Sequence, residues 1–111
     1  MTIDPQHMAY VALAHVDGEL QEVGISRYAA GPESDECECA ITVDDQWKGC
    51  GLGSLLLGHL IDNARAHGYT AMYSIDSAAN IEMLELARAL GFETARDPDD
   101  ACRLVHRLSL N

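Results

Sequence analysis

Three glycines at alternate positions, in the segment from Lys48 to Ser54 (KGCGLGS), constrain this chain more than any other feature of its sequence. The segment follows an apolar β-type stretch and opens a stretch whose leucines recur at helical spacing. Glycine adopts positive φ angles and lets a ligand approach the backbone closely. Successive N–H groups at a helix N-terminus attract anions, and Lys48, the only lysine, adds positive charge at the rim. The pattern predicts a phosphate-binding turn; a glycine-rich turn without a ligand is the alternative.

The glycine segment departs from both common nucleotide-binding motifs. A P-loop ends in Gly-Lys-Ser/Thr, which this segment does not contain. The dinucleotide fingerprint G-x-G-x-x-G is matched at Gly49 and Gly51 but has Ser54 at its third glycine. Asp76 ends the next apolar stretch, where a ribose-binding acid would stand, but the chain is too short for that fold's parallel sheet. A dinucleotide site is therefore the weaker alternative.

Hydrophobic periodicity and turn residues divide the chain into eight elements. Asp17-Gly18 predicts a tight hairpin, Gly24 a bulge, and Gly68 and Gly91 the ends of two helices. The predicted strands are 7–16, 19–29, 36–43, 69–75, 92–97 and 101–109, and the predicted helices follow Leu52 and Asn80. The order β-β-β-α-β-α-β-β predicts an α+β (mixed α/β) fold with a mostly antiparallel sheet. Only the β-α-β unit from residue 36 to residue 75 is expected to be parallel.

Composition bounds the functional class. The 111 residues predict one domain, 1–111, and the net charge of −11 with one lysine argues against a nucleic-acid partner. An apolar run long enough for a membrane span is absent, and residues 1–7 do not read as an export signal, so a cytoplasmic location is expected. The four cysteines lack zinc-ligand spacing and are expected to be reduced, with no bound metal.

Two stretches resemble one known family. The segment Val43-Asp-Asp-Gln-Trp-Lys48-Gly-Cys-Gly51-Leu-Gly53-Ser-Leu-Leu is similar to the acyl-CoA-binding motif of the GNAT superfamily of N-acetyltransferases. Lys48 takes the position of an Arg or Gln, which is a mild departure. The second signature is an Asn-led helix ending in Leu-Gly-Phe, here Asn80 through Phe92. The amino-acid sequence of this signature most resembles that of the acetyltransferase domain of Pat-type protein lysine acetyltransferases.

The resemblance implies acetyl-CoA as cosubstrate, lying where the strand that ends at Val43 parts from the strand at 69–75. Backbone groups near Ile41 and Val43 would pair with the pantetheine arm, and the glycine-segment amides would hold the diphosphate. Asn80 would contact the pantetheine, although a helix N-cap is an equally ordinary role for asparagine. The implied cosubstrate contacts are Ile41, Val43, Lys48, Gly49, Cys50, Gly51, Leu52, Gly53, Ser54 and Asn80.

Glu38 is the predicted general base. Strand alternation places Cys37, Cys39 and Ile41 on one face and Glu38 on the other, between small residues. A buried carboxylate is rare unless it has a function. Burial would make Glu38 a stronger base, suited to accept a proton near neutral pH. In Pat-type proteins a glutamate of this strand has that role. A solvated glutamate on an open face is the alternative. The tyrosine that many relatives use as general acid is replaced by Ala87, so Tyr73 or a water would substitute.

Compared with the family, the chain is N-terminally short: about six residues precede the first hairpin, where relatives have a strand and two helices. The expected acceptor pocket is therefore open, or completed by a second copy or another protein, and a homo-oligomer is expected. The acceptor is predicted to be a primary amine, either a protein lysine or a small amine, attacked directly in a ternary complex. The acidic charge fits a cationic acceptor and fits plain solubility equally well. A catalytically weak acyl-CoA-binding or regulatory module is the alternative.

Overall fold

The computed structural model describes residues 6–111. These residues form six strands and two helices: β1 (His7–Val16), β2 (Glu19–Ala29), β3 (Glu36–Val43), α1 (Leu52–Ala66), β4 (Ala71–Ser77), α2 (Ile81–Ala89), β5 (Glu93–Asp97) and β6 (Asp100–Ser109). A short 3-10 turn, Asp45–Trp47, lies between β3 and the glycine segment. The first three strands have the predicted bounds.

The predicted start of the fourth strand at residue 69 is wrong by two residues. The amide of Tyr69 donates to the carbonyl of Ala64 at 3.1 Å, and Gly68 has a φ of 86°. These features complete the C-terminus of α1, as helices ending in a left-handed glycine commonly do. The backbone of Tyr69 is therefore committed to the helix end, and the strand begins only at Ala71.

The six strands form one sheet in the order β1-β2-β3-β4-β6-β5. Every neighbouring pair is antiparallel except β3 and β4, which α1 connects. Antiparallel neighbours joined by tight turns account for the two hairpins, whereas the parallel pair needs the helical crossover. The predicted α+β fold, mostly antiparallel with a single parallel unit, is confirmed.

A bulge in β2 sets the position of the loop that carries the glycine segment. The pairing with β1 skips Val23, which leaves this residue as the extra one beside the predicted Gly24. The carbonyl of Val23 accepts a hydrogen bond from the amide of Asp44 at 2.9 Å. A Cβ added at Gly24 would lie 2.9 Å from the end of the Leu56 side chain and 3.3 Å from the Thr42 carbonyl, so a larger residue there would force the Leu56 side chain to move.

Both helices pack on the sheet face formed by alternate residues of each strand, including Cys37 and Cys39 on β3 and Met72 on β4. Ser26 is a buried polar residue on this face, and its hydroxyl donates to the Leu56 carbonyl at 3.0 Å. The buried core also contains Tyr28, Leu57, Leu60, Ile61, Ala64, Met83, Ala87, Phe92 and Leu110. The core therefore lies between the sheet and its two helices.

The opposite face of the sheet is open in the described part of the chain. Val11 and Leu13 on β1 are 47% and 58% exposed, and Ile75 on β4 is 39% exposed. Within residues 6–111, neither helix combines the length and apolar character needed to cross a bilayer.

Candidate active site

The candidate site begins where β3 and β4 part. The two strands share only three register pairs: Glu36 with Ala71, Cys37 with Met72, and Glu38 with Tyr73. Beyond this last pair, which we call the vertex, β3 continues paired with β2 alone and β4 with β6 alone. The edges that face each other across the opening therefore carry backbone groups that no sheet partner satisfies. This is the gap that the family resemblance implied.

A cleft of about 750 Å³ occupies this opening. It is bounded by the end of β3, the glycine segment, the first turn of α1, the end of β4 and one side of α2. Its lining residues are Ile41, Thr42, Val43, Trp47, Lys48, Gly49, Gly51, Gly53, Ser54, Asp76, Asn80, Glu82, Met83, Glu85, Leu86 and Ala89. Apolar walls and a few convergent polar groups are typical of small-molecule sites.

The glycine segment presents its backbone to this cleft. Gly49 and Gly51 have φ angles of 78° and 86°, in the left-handed region that favours glycine, and Gly51 is the N-cap of α1. No side chain caps the helix. Among the hydrogen bonds of residues 6–111, none is donated by an amide from Gly49 to Ser54, and the first is Leu55 to the Gly51 carbonyl at 3.1 Å. A helix dipole and free amide donors of this kind are the groups that an anion-binding turn requires, as the sequence predicted.

Lys48 lines the cleft, but it is not the free positive charge that the sequence suggested. Its ammonium lies 3.0 Å from a carboxylate oxygen of Asp45 and 3.0 Å from one of Glu82. The hydrogen bond to Glu82 is the largest cause that raises the pKa of Lys48, and the hydrogen bond to Asp45 is the second. Among the described residues, the donors at this turn without a partner of their own are therefore the backbone amides.

Asn80 has the capping role that the sequence left open, and its position leaves contact with a ligand available. It is the N-cap of α2, and its Oδ1 accepts a hydrogen bond from the amide of Met83 at 3.1 Å. It also lines the cleft. The carbonyl end of the side chain is therefore used by the helix, which leaves the NH₂ end as the group that can donate to a ligand.

Cys50 and Leu52, both predicted contacts, do not line the cleft. The Cys50 thiol is exposed and donates to the Trp47 carbonyl at 2.8 Å. The Leu52 side chain packs toward Gly24 on β2. Any contact of these two residues with a ligand in the cleft is therefore left to their backbone groups.

Glu38 lies at the vertex, and its predicted burial is wrong because its side chain is exposed. Alternation along β3 places Cys37 and Cys39 beneath the helices, which puts Glu38 on the open face. Tyr73, its register partner, is half-buried on the same face. The pKa of Tyr73 is raised, mainly by burial and secondly by the negative charge of Glu38. The two side chains form a carboxylate–phenol pair where the strands separate.

The thiols are free, and two of them are poor nucleophiles. All four cysteines fall within the described residues; Cys37 and Cys39 are buried, and the other two are exposed. Burial raises the pKa of Cys37 to about 11 and that of Cys39 to about 12. Residues 6–111 contain no cluster of His, Cys, Asp or Glu side chains that could hold a metal ion.

Comparison with known proteins decides the family. Residues 2–92 match the profile described as the acetyltransferase (GNAT) family. The chain belongs to this family. It is similar to acetyltransferase PA5475 of Pseudomonas aeruginosa, with 58% identity over 111 residues. The match covers 99% of this chain and 60% of that protein, so the chain spans about three-fifths of the length of this curated relative.

Several solved structures share the fold. The GNAT domain of S. lividans PAT has a TM-score of 0.80 at 23% identity, covering 95% of this chain and 61% of that one. A cAMP-binding acyltransferase from Mycobacterium smegmatis has a TM-score of 0.79 at 23% identity, covering 96% and 32%. YncA, a putative acetyltransferase from Salmonella typhimurium solved with acetyl-CoA, has a TM-score of 0.70 at 24% identity, covering 81% and 59%.

Sequence reasoning missed one polar wall of this GNAT cleft. Asp76 was considered only as a ribose ligand, and His106, which lies behind it, was not considered at all. Met72, Ser74 and Asp76 alternate onto the helix-covered face of β4, a signal present in the sequence. The role of His106 depends on the pairing of Ser74 with His106 across β4 and β6, which only the fold reveals.

Proposed function

We propose that this chain carries the site of an N-acetyltransferase that moves the acetyl group of acetyl-CoA to a primary amine. The observation that carries the proposal is the parting of β3 and β4 after three register pairs, beside the free amides of the glycine segment. An unpaired strand edge can bind an extended polar arm, and free amides at a helix N-terminus can bind a diphosphate. Coenzyme A contains both an extended polar arm, pantetheine, and a diphosphate.

The residues of the cleft fit this cosubstrate. A volume of about 750 Å³ is large enough for a ligand with a long flexible arm. The backbone of Ile41 and Val43 is proposed to pair with the pantetheine amides, and the amides from Gly49 to Ser54 to hold the diphosphate. The NH₂ group of Asn80 is proposed to donate to the pantetheine. When bound, acetyl-CoA supplies a thioester carbonyl that an amine can attack.

Glu38 is proposed as the general base. A lysine-type amine has a pKa of about 10.4, so it arrives protonated and must lose a proton before it can attack. One proton passes from the ammonium to Glu38, the nitrogen attacks the thioester carbon, and the C–S bond breaks. The thiolate leaves as a thiol with the second proton from nitrogen, relayed through Tyr73 or a water. The raised pKa of Tyr73 keeps its phenol protonated at neutral pH, so the phenol can donate.

The acceptor is proposed to approach over the open face, where Glu38 is exposed. A net charge of −11 favours cationic acceptors, either a protein lysine or a small amine. The exposed apolar side chains of this face support completion of the acceptor wall by a second copy or another polypeptide. A cytoplasmic location remains a prediction from the sequence.

The test is titration calorimetry with acetyl-CoA, CoA and NAD, followed by an amine-acceptor screen in which acetylated products are detected by mass. Binding of both coenzyme A forms and an acetylated amine are expected. Glu38→Gln should lower the transfer rate by about 10²-fold or more and leave CoA affinity nearly unchanged. Glu19→Gln, an exposed change at the far end of β2, is the matched control and should alter neither. Binding of NAD alone would contradict the proposal.

A catalytically weak acyl-CoA-binding module is the second candidate, and the exposure of Glu38 favours it. A solvated carboxylate is a weaker base than a buried one. Acetyl-CoA binding without any acetylated amine, together with equal behaviour of wild type and Glu38→Gln, would favour this module and remove Glu38 from its proposed role.

A further inference from the structure

A buried polar chain runs from β5 to the wall of the cleft, and the proposed chemistry does not use it. His106 on β6 is 0% exposed. Its Nδ1 lies 2.8 Å from the Thr94 hydroxyl on β5, and its Nε2 lies 3.9 Å from Oδ2 of Asp76 on β4. Oδ2 of Asp76 also accepts a hydrogen bond from the Ser74 hydroxyl at 2.5 Å. Asp76 itself lines the cleft.

The Nε2 atom of His106 is the one buried side-chain nitrogen or oxygen in residues 6–111 without a hydrogen-bond partner. An unpaired buried polar atom is costly, so its position calls for a reason. If Nε2 were unprotonated, its lone pair would face the negative oxygen of Asp76 and be repelled by it. A proton on Nε2 is instead attracted to that oxygen. The proton is therefore assigned to Nε2, and Nδ1 accepts from Thr94. Burial lowers the pKa of His106, against the opposing effect of Asp76, so this neutral form persists at neutral pH.

Asp76 follows the vertex residue Tyr73 by three positions, or roughly 10 Å along the strand. It stands between the vertex and the glycine segment, on the stretch that an extended pantetheine arm would cross. A carboxylate only accepts hydrogen bonds, and it repels phosphate. The pantetheine arm offers amide N–H donors, whereas the opposite end of coenzyme A offers phosphates.

We propose that Asp76 accepts a hydrogen bond from a pantetheine amide of coenzyme A, and that Ser74 and His106 position its carboxylate for this contact. The carboxylate on β4 and the free amides of the glycine segment then set the direction in which coenzyme A enters. His106 acts through Asp76 and is a positioning residue. This inference rests on the proposed function, because it assumes that coenzyme A occupies the cleft.

Calorimetry with two ligands tests the contact: coenzyme A, and adenosine 3′,5′-bisphosphate, which lacks the pantetheine arm. Asp76→Asn should weaken coenzyme A binding by about fivefold to tenfold, since the remaining amide oxygen accepts a weaker hydrogen bond than the charged carboxylate does. Its affinity for the bisphosphate should not fall. Glu22→Gln removes an exposed carboxylate of β2 that does not line the cleft and is the matched control; it should not weaken coenzyme A binding. Ser74→Ala should give a smaller loss of the same kind, and serves if Asp76→Asn does not fold.

The imidazole ¹⁵N shifts of His106 test the positioning role separately. The wild type should show the Nε2-protonated tautomer, and coenzyme A should shift the Nε2 resonance in the wild type but not in Asp76→Asn. An Nδ1-protonated ring overturns the positioning role. Wild-type protein that binds coenzyme A, with Asp76→Asn binding it equally well, overturns this inference alone. Wild-type protein that binds no coenzyme A overturns the proposed function and this inference together.

Discussion

Replacing Gly51 with alanine tests the backbone conformation on which the cleft depends. Gly51 has a φ of 86°, and a Cβ added there would meet no atom within 4 Å. The cost is therefore one of backbone conformation and not of packing. An L-residue in the left-handed region costs about 1–2 kcal/mol, and the reduced entropy of the unfolded chain offsets about 0.4–1 kcal/mol of this. Gly51→Ala should destabilise the protein by roughly 1 kcal/mol.

The matched control is Gly58→Ala, which lies on the same helix, α1, and also has open space around an added Cβ. Gly58 has an ordinary helical conformation, so alanine there should stabilise the protein by about 0.5–1 kcal/mol. The two changes add the same methyl group and should shift stability in opposite directions. Urea denaturation measures both free energies of unfolding, and thermal scans should separate the two variants by several degrees.

Ligand binding gives the second half of this prediction. A relaxed φ at Gly51→Ala reorients the amides of the glycine segment, so coenzyme A affinity should fall, whereas Gly58→Ala should keep it. If Gly51→Ala matched the wild type in both stability and affinity, the left-handed N-cap would be wrong, and with it the anion-binding turn. If both variants lost affinity equally, the effect would belong to α1 as a whole and not to its N-terminus.

Three further predictions concern charge, thiols and pH. Glu82→Gln releases Lys48 from one of its two carboxylates and should tighten coenzyme A binding, with a steeper loss of affinity in salt; unchanged affinity would show that this ion pair does not compete with the ligand. The thiols Cys37 and Cys39, with pKa values raised by burial to about 11 and 12, should resist alkylation at pH 8 until urea unfolds the chain, while the two exposed thiols react at once. Burial lowers the pKa of His106, so the unfolded chain takes up a proton at higher pH than the folded one; stability should fall as pH drops through about 6.5, and less steeply in His106→Gln. Parallel stability curves for these two proteins would refute the last prediction.

Local sequence patterns determined most of the fold. The alternation that defines β1 to β3, the Asp17-Gly18 hairpin and the Asn80 cap each depend on residues close together in the chain. The glycine segment could be located for the same reason, because left-handed glycines before an amphipathic helix form a local structure. The parting of β3 and β4 was expected only from the family resemblance, since strand alternation says nothing about where pairing stops.

Tertiary structure decided which groups of the site are available. Lys48 and Glu82 meet across the cleft although many residues separate them, so the sequence could not show that the sole lysine is already paired. Glu38 was expected to be buried, but burial depends on what covers its face of the sheet. Asp76 and His106 approach each other only because β4 pairs with β6 in one register. A sequence thus fixes what each short segment prefers, because its neighbours set the backbone conformation. The register and packing of distant segments decide which charges, donors and acceptors face one another.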